Sequence, residues 1–130
     1  ERTKLYFIAP EEMQIRPDIL EYLDERDVSY ELLTDATKAL ATADVVYQTR
    51  IDRDRLQRTD VNLARYNIDA QVLRTLKPDA IIMHPLPRSV EIDPAVDSDP
   101  RAAYFRQARN GLTVRMALLT MLFDQDTSHS

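Results

Sequence analysis

The chain of 130 residues is long enough to form one domain around a single core and too short for two domains. Its net charge is −5, from 17 basic and 22 acidic residues without a basic block, which argues against nucleic acid or an anionic membrane as a partner. Cysteine is absent, which excludes disulfides and thiolate metal sites, and the lack of a signal peptide or an apolar run of roughly 20 residues predicts a soluble cytoplasmic protein.

Apolar runs of strand length alternate with segments of helical periodicity along the first fifty residues. The runs predict strands at Lys4–Ala9, Val28–Leu33 and Val45–Tyr47, because short continuous apolar stretches are typical of buried parallel strands. Between these strands, Pro17 is suited to the first turn of a helix. Either residue of the pair Thr34–Asp35 can cap a second, short helix.

The middle of the chain contains a charged stretch followed by a helix and a strand. Residues 51–66 contain charges of both signs without a strong apolar period, which predicts a solvated loop or a surface helix. Asp69 then caps a helix that Pro78 ends. The next apolar run, Ala80–His84, predicts a buried strand at the centre of the fold.

The last third of the chain is predicted to be mainly helical. The pair Asp99–Pro100 is typical of a helix start and predicts a helix over Arg101–Ala108. Asn110–Gly111 predicts a break in the chain, after which Leu112–Phe123 forms a long apolar helix. Gly111 is the only glycine, so a glycine-rich cradle for phosphate is excluded.

The alternation of strands and helices predicts a Rossmann-like α/β domain, a parallel sheet with helices on both faces. In such sheets, ligands bind at the carboxyl ends of the strands. Arg50 follows the strand at Val45–Tyr47, and a turn with two prolines, Pro85–Pro87, follows the strand at Ala80–His84. If these two strands are neighbours, Arg50 and this proline turn face one pocket.

Both features have a functional and a structural interpretation. Pro85 and Pro87 lack an N–H group and must end the strand. The rigid turn that contains Leu86 can therefore present carbonyl groups to a ligand's amide, or it can be a stiff loop without a ligand. Arg50 can bind a carboxylate through its planar guanidinium, or it can form a surface salt bridge. Spacing alone leaves these alternatives open.

Several segments together resemble the aspartate carbamoyltransferase family, in particular the aspartate-binding half of its catalytic chain. The resemblance extends from about Lys4 to Phe123, and the motif His84–Arg88 is its most specific part. The sister ornithine enzymes carry a cysteine after this histidine, so Pro85 favours the aspartate branch. The other segments that carry the resemblance are Tyr6–Pro10, Val45–Arg50, Glu91–Ile92, Val96–Phe105, Asn110–Gly111 and Arg115–Leu119.

The resemblance implies transfer of a carbamoyl group from carbamoyl phosphate to L-aspartate, an early step of pyrimidine synthesis, without a cofactor or a metal. Catalysis in this family is mainly positioning and charge stabilisation. The resemblance assigns aspartate binding to Arg50 and contacts with carbamoyl phosphate to the proline turn, with a cis bond expected between Leu86 and Pro87. It assigns no certain catalytic residue to this half. His84 and Arg88 are interpreted as structural residues, Arg88 in an ion pair that fixes the loop.

Two departures from the family pattern bear on function. Asp52 stands where family members usually carry a glutamine that helps to orient aspartate, and a carboxylate there would repel a dianionic substrate unless protonated or turned outward. The carbamoyl-phosphate half, with its phosphate grip and catalytic histidine, is missing. Also missing is the first strand–helix unit of the aspartate half, which in the family lies between the strands matching Lys4–Ala9 and Val45–Thr49.

We therefore expect residues 1–130 to be a single aspartate-binding domain, the C-terminal part of a longer chain. An N-terminal carbamoyl-phosphate domain would complete it, and the complete protein is expected to be a homotrimer. Without the missing strand, the isolated chain is expected to be marginal or self-associating. Two other functions stay open: a non-catalytic relative retained for assembly or ligand binding, as Asp52 suggests, and a generic α/β binding module.

Overall fold

The computed structural model describes residues 3–50 and 62–126. Within these residues, the apolar runs form four strands and the intervening segments form four α-helices. In chain order these elements are β1 (Lys4–Ile8), α1 (Pro17–Asp24), β2 (Ser29–Leu33), α2 (Thr37–Thr42), β3 (Val45–Tyr47), α3 (Ala70–Thr75), β4 (Ile81–Met83) and α4 (Tyr104–Asp126). Short 3₁₀ helices lie at Glu11–Met13, Leu63–Tyr66 and Pro94–Ser98. The predicted α/β class is confirmed, and the four strands lie within the predicted runs.

The strands pair in two separate parallel sheets, and the division between them lies where the sequence predicts that a central strand is missing. β1 pairs with β2 from Lys4↔Ser29 to Ile8↔Leu33, and β3 pairs with β4 from Val45↔Ile81 to Tyr47↔Met83. Among the described residues, no strand joins β1 to β3. The interruption therefore lies where the family pattern requires the missing strand, and within residues 3–50 and 62–126 no strand pairs with the inner edge of either sheet.

The hydrophobic core is centred on β4. Ile82 is fully buried in the middle of this strand, as the apolar run predicts. On one side β4 pairs with β3, and on the other the N–H of Ile82 donates to the carbonyl of Arg101 (2.8 Å) while the N–H of Ala103 donates to the carbonyl of Ile82 (2.8 Å). The buried cluster around this strand consists of Ile68, Leu76, Ala80, Ile82, Ile92, Val96 and Tyr104.

Aspartate side chains accept backbone N–H groups at the start of two helices, Asp69 as the N-cap residue of α3 and Asp35 one residue before the N-cap residue of α2. Asp69 accepts hydrogen bonds from the N–H groups of Gln71 (2.8 Å) and Val72 (2.9 Å) at the start of α3. Asp35 accepts one from the N–H of Thr37 (2.8 Å) at the start of α2. These contacts satisfy backbone donors that have no partner within the helix, which fixes where each helix begins.

The predicted boundaries of the last helix are wrong at two places. Arg101–Ala103 is not helical, because Asp99 accepts the N–H of Arg101 in a tight turn (2.9 Å) and the next residues pair with β4. The helix α4 therefore begins at Tyr104. The break predicted at Asn110–Gly111 is absent, and α4 runs through both residues. A glycine within a helix costs only about 1 kcal/mol relative to alanine, so a single one does not end a helix whose neighbours continue it.

The second half of α4 exposes large apolar side chains to solvent. These side chains are each 54–69% exposed, a fraction typical of polar surface residues. They are Leu112, Val114, Met116, Leu118, Leu119, Met121, Leu122 and Phe123. A contiguous apolar surface of this kind marks a binding interface in a soluble protein. We refer to this part of the helix, Leu112–Phe123, as the apolar segment of α4.

Candidate functional site

The two segments singled out in the sequence leave neighbouring strands at the same edge of the sheet. β3 and β4 are parallel and paired, so their carboxyl ends lie side by side. The N–H of Gln48 donates to the carbonyl of Met83 (3.0 Å), which extends the ladder one step beyond β3. Arg50, two residues after Gln48, is exposed, and the proline turn Pro85–Pro87 begins two residues after the last residue of β4. The condition for a shared pocket, that the two strands are neighbours, is met.

The proline turn has a constrained backbone. The Leu86–Pro87 peptide bond is cis, as predicted, and Leu86 has a φ of 48°. This left-handed conformation costs an L-residue about 1–2 kcal/mol, so the surroundings must stabilise it. They do so at two points, because the Leu86 N–H donates to Nδ1 of His84 (2.8 Å) and the Leu86 side chain packs against the core.

The hydrogen bond to His84 makes this turn an acceptor surface. Pro85 and Pro87 have no N–H, and the N–H of Leu86 is already taken by the His84 ring. The backbone of these three residues therefore offers carbonyl oxygens and no free donor. Such a surface is suited to the NH₂ of a carbamoyl group and unsuited to a phosphate, which needs donors.

His84 is buried, with only 1% of its surface exposed, and both of its ring nitrogens have protein partners. Nδ1 accepts from Leu86, so the proton must be on Nε2, which donates to Oε1 of Glu91 (2.9 Å). Neither nitrogen is available to a substrate or a metal ion. This geometry supports a role for His84 in holding the turn, as the structural interpretation of the sequence proposed.

Glu91 is the buried partner of this histidine, and in the sequence it stood out only as part of the family resemblance. Its Oε1 atom also accepts the N–H of Ser89 (2.9 Å), so one oxygen joins both ends of the loop. Burial disfavours the charged carboxylate, but hydrogen bonds from the N–H groups of Ser89 and Glu91 and from His84 outweigh burial and lower the pKa of Glu91. The signal in the sequence was an acidic residue seven positions after His84, a spacing too common to assign alone.

Arg88 follows directly after the proline turn, and its side chain contacts other residues of the domain. Its guanidinium binds Asp97 through two contacts, one of them Nη2 to Oδ2 at 2.6 Å, and the Tyr104 hydroxyl donates to the same carboxylate. The hydrogen bond from Arg88 lowers the pKa of Asp97. Burial, and then the bond to Asp97, raises the pKa of Tyr104 to about 12. This cluster ties the turn to the first residue of α4.

Gln107 is the site neighbour that the sequence analysis did not single out. It lies in the first turn of α4, and its side-chain amide contacts residues at the ends of both β3 and β4. Oε1 accepts the N–H of His84 (3.1 Å), and Nε2 donates to the Tyr47 hydroxyl (3.2 Å). A lone glutamine on a helix gives no sequence signal, because its role depends on which strands the fold places beneath it.

Asp52, the residue that departs from the family pattern, lies outside the described residues. Between residues 3 and 50 and from 62 to 126, no group of three or more possible ligands could hold a metal ion. Over the same ranges, no helix is both long and apolar enough to cross a membrane.

The site and the fold match a known family. A family model described as "Aspartate/ornithine carbamoyltransferase, Asp/Orn binding domain" matches residues 2–122. The chain belongs to this carbamoyltransferase family. The chloroplastic aspartate carbamoyltransferases of Oryza sativa subsp. japonica and Arabidopsis thaliana are 48% and 49% identical to it over 126 and 124 residues, or 94% and 92% of this chain. The matched part is 35% and 32% of those relatives' lengths, so the chain spans about a third of them.

Solved structures agree with this assignment. An aspartate transcarbamoylase from Trypanosoma cruzi, in complex with N-(phosphonacetyl)-L-aspartic acid, matches with a TM-score of 0.78 and 36% identity. The match covers 89% of this chain and 39% of that one. The family resemblance stated from the sequence is therefore confirmed, and so is the match to its aspartate/ornithine-binding part.

The expected cytoplasmic location is wrong. The rice, Arabidopsis and Pisum sativum relatives are chloroplastic proteins, which points to the plastid. Targeting segments are recognised by import receptors and are not part of the folded domain. The composition of a folded domain therefore cannot distinguish the two compartments.

Proposed function

We propose that this chain is the aspartate-binding half of an aspartate carbamoyltransferase, which carries out an early step of pyrimidine synthesis. The observation that carries the proposal concerns the paired parallel strands β3 and β4. Arg50 follows the end of β3, and the proline turn, whose backbone offers hydrogen-bond acceptors and no free donor, follows the end of β4 at the same edge of the sheet. The aspartate branch is supported by the named plant relatives and by Pro85, where ornithine enzymes have cysteine. A further structure of the T. cruzi enzyme contains carbamoyl phosphate and aspartate, the two substrates proposed here.

In the proposed reaction, the amine of L-aspartate attacks the carbamoyl carbon of carbamoyl phosphate. The bond from that carbon to the phosphate oxygen then breaks, and the departing phosphate takes the proton that the amine loses, which gives N-carbamoyl-L-aspartate and phosphate. Arg50 binds a carboxylate of aspartate through charge-assisted hydrogen bonds. The carbonyls of Pro85, Leu86 and Pro87 accept hydrogen bonds from the carbamoyl NH₂ and orient its carbon toward the amine. In the proposed reaction, this half of the enzyme thus binds and orients the two substrates and supplies no catalytic acid or base.

We further propose that the domain, residues 1–130, is completed by an N-terminal carbamoyl-phosphate domain and assembles as a homotrimer with a Rossmann-like sheet. Two features support this proposal. The inner edges of β1 and β3 have no strand partner among the described residues, and unpaired inner edges are a liability for a free domain. The apolar segment of α4 is exposed and requires a cover of matching character.

A second candidate function is a non-catalytic relative that binds a ligand or supports assembly. Asp52 favours it, because a carboxylate near Arg50 in sequence would compete with a dianionic substrate for the guanidinium. Under this hypothesis the full-length protein folds and assembles but does not turn over aspartate.

Calorimetry and kinetics on the full-length protein separate the two candidates. We expect binding of carbamoyl phosphate and of aspartate, with release of N-carbamoyl-L-aspartate. A full-length protein that binds carbamoyl phosphate but forms no product at saturating aspartate would favour the non-catalytic candidate. In that case, Asp52→Gln should restore turnover if the carboxylate is the cause.

A further inference from the structure

We propose that Gln107 is a positioning residue, which fixes Arg50 and the proline turn relative to each other through one side-chain amide. The inference rests on the proposed function and adds to it a residue that contacts no substrate. Gln107 lies on α4, whereas Arg50 follows β3 and the turn follows β4. Its amide is therefore placed to join three elements that meet at the site.

The contact with His84 compensates for a strand that the sheet lacks on this side. The residues of β4 alternate in direction, so the backbone of Ile82 and that of His84 face away from β3. Ile82 finds its partners in Arg101 and Ala103. Two residues further, the chain has already turned into α4, where the carbonyl of Ala103 accepts the N–H of Gln107 (2.8 Å), and among the described residues no backbone carbonyl accepts the N–H of His84. Oε1 of Gln107 takes this N–H instead, at 3.1 Å.

The contact with Tyr47 extends the same connection to β3. Because Oε1 must face the His84 N–H, the amide nitrogen is directed to the Tyr47 hydroxyl, which it reaches at 3.2 Å. Tyr47 is the last residue of β3, three residues before Arg50, and His84 is the residue directly before Pro85. One amide thus contacts the last residue of β3 and the residue directly before Pro85.

A second glutamine provides a matched control for the effect of loosening a sheet. Gln14 contacts the ends of β1 and β2 in the same manner, with Nε2 donating to the carbonyls of Ala9 (2.7 Å) and Leu33 (3.0 Å). This sheet carries none of the proposed substrate-binding residues. Replacement of either glutamine should therefore lower the stability of the protein, whereas only replacement of Gln107 should disturb the positioning of the substrates.

The experiment uses the full-length protein and the variants Gln107→Leu, Tyr47→Phe, their combination, and Gln14→Leu. For each variant, the KM for aspartate, kcat and the melting temperature are measured. We expect Gln107→Leu to raise the KM for aspartate about tenfold or lower kcat by a similar factor, because misplacement of the order of 1 Å can cost ~100-fold. Tyr47→Phe is expected to raise the KM for aspartate by a smaller factor without a change in fold. The combination should be no worse than Gln107→Leu alone, since both variants break the same connection.

Gln14→Leu is expected to lower the melting temperature and leave the KM for aspartate unchanged. The inference is overturned if Gln107→Leu changes KM and kcat no more than Gln14→Leu does, or if the effects of Gln107→Leu and Tyr47→Phe add. If Gln107→Leu does not fold, an unchanged KM in Tyr47→Phe overturns it as well. An active parent with insensitive variants refutes this inference alone, whereas an inactive parent refutes the proposed function together with it.

Discussion

Glu91→Ala removes the buried group on which the shape of the proline turn depends. In the native protein, Oε1 of Glu91 accepts from both His84 Nε2 and the Ser89 N–H, each at 2.9 Å, and Glu91 is only 4% exposed. Removal leaves one buried donor, Nε2 of His84, without an acceptor, and it breaks the hydrogen bond from the N–H of Ser89, an exposed residue. Because the buried donor costs about 1–3 kcal/mol and the second hydrogen bond about 0.5–1.5 kcal/mol, we expect the free energy of unfolding to fall by about 1.5–4.5 kcal/mol.

The matched variant Glu91→Gln separates the lost oxygen from the lost charge. A glutamine can keep an acceptor oxygen at the position of Oε1 while removing the negative charge. We therefore expect Glu91→Gln to lose less than half of what Glu91→Ala loses. The control is Glu11→Ala, since Glu11 is an exposed residue at the start of a 3₁₀ helix, where loss of the side chain should cost under about 0.5 kcal/mol.

Urea denaturation of the full-length protein measures these differences, and the KM for carbamoyl phosphate measures the turn. We expect Glu91→Ala to raise that KM, because Leu86 is held through His84, which Glu91 orients. The reasoning is refuted if Glu91→Ala is as stable as Glu11→Ala. It is also refuted if Glu91→Ala loses stability but keeps the parent KM for carbamoyl phosphate, since the turn would then not depend on this pair.

Three further predictions concern stability and assembly. The pKa of Asp99 is lowered from 3.8 to about 2, chiefly by the hydrogen bond from Arg101, so its stabilising contribution of about 2 kcal/mol should be full above about pH 4 and lost as the pH falls through 2. Acid titration of unfolding should show this loss in the parent and not in Asp99→Asn. Tyr104→Phe removes the hydroxyl that donates to Asp97 and should cost about 1 kcal/mol in urea denaturation, and an unchanged midpoint would contradict this role. The isolated 130-residue chain should sediment as oligomers, because in the part of the chain that the structure describes two sheet edges have no strand partner and the apolar segment of α4 is exposed. A clean monomer with a cooperative melt would contradict this prediction.

The strands and most helix starts were predictable from the sequence because their signals are local. The run Ala80–His84 predicts the buried strand β4, and Asp69 predicts the start of α3 by capping. The start of α4 could not be predicted in the same way. Asp99–Pro100 has the local chemistry of a helix cap, but pairing of Arg101–Ala103 with Ile82 delays the helix by one turn. That pairing joins residues about twenty positions apart, and no local pattern encodes it.

The candidate site was predictable to a different extent. Arg50 and the proline turn were identified from their place after apolar runs, and the family motif supplied their roles. The residues that support Arg50 and the proline turn were harder to predict, since Glu91 and Gln107 act through contacts made only in the folded chain. The division into two sheets was predictable from the family pattern, because the strand missing between the runs Lys4–Ala9 and Val45–Thr49 leaves two ladders that cannot join.

The most direct test of the central claim is the aspartate dependence of full-length Arg50→Ala. A charge-assisted hydrogen bond contributes about 1.5–3 kcal/mol, and about 1.4 kcal/mol is tenfold in affinity. We therefore predict that Arg50→Ala raises the KM for aspartate at least about tenfold and leaves the Kd for carbamoyl phosphate within about twofold of the parent. An exposed arginine on α1's N-terminal flank, Arg16, provides the control variant Arg16→Ala, for which we predict parent values. An aspartate KM in Arg50→Ala equal to that of the parent would contradict the assignment of this edge as the aspartate site.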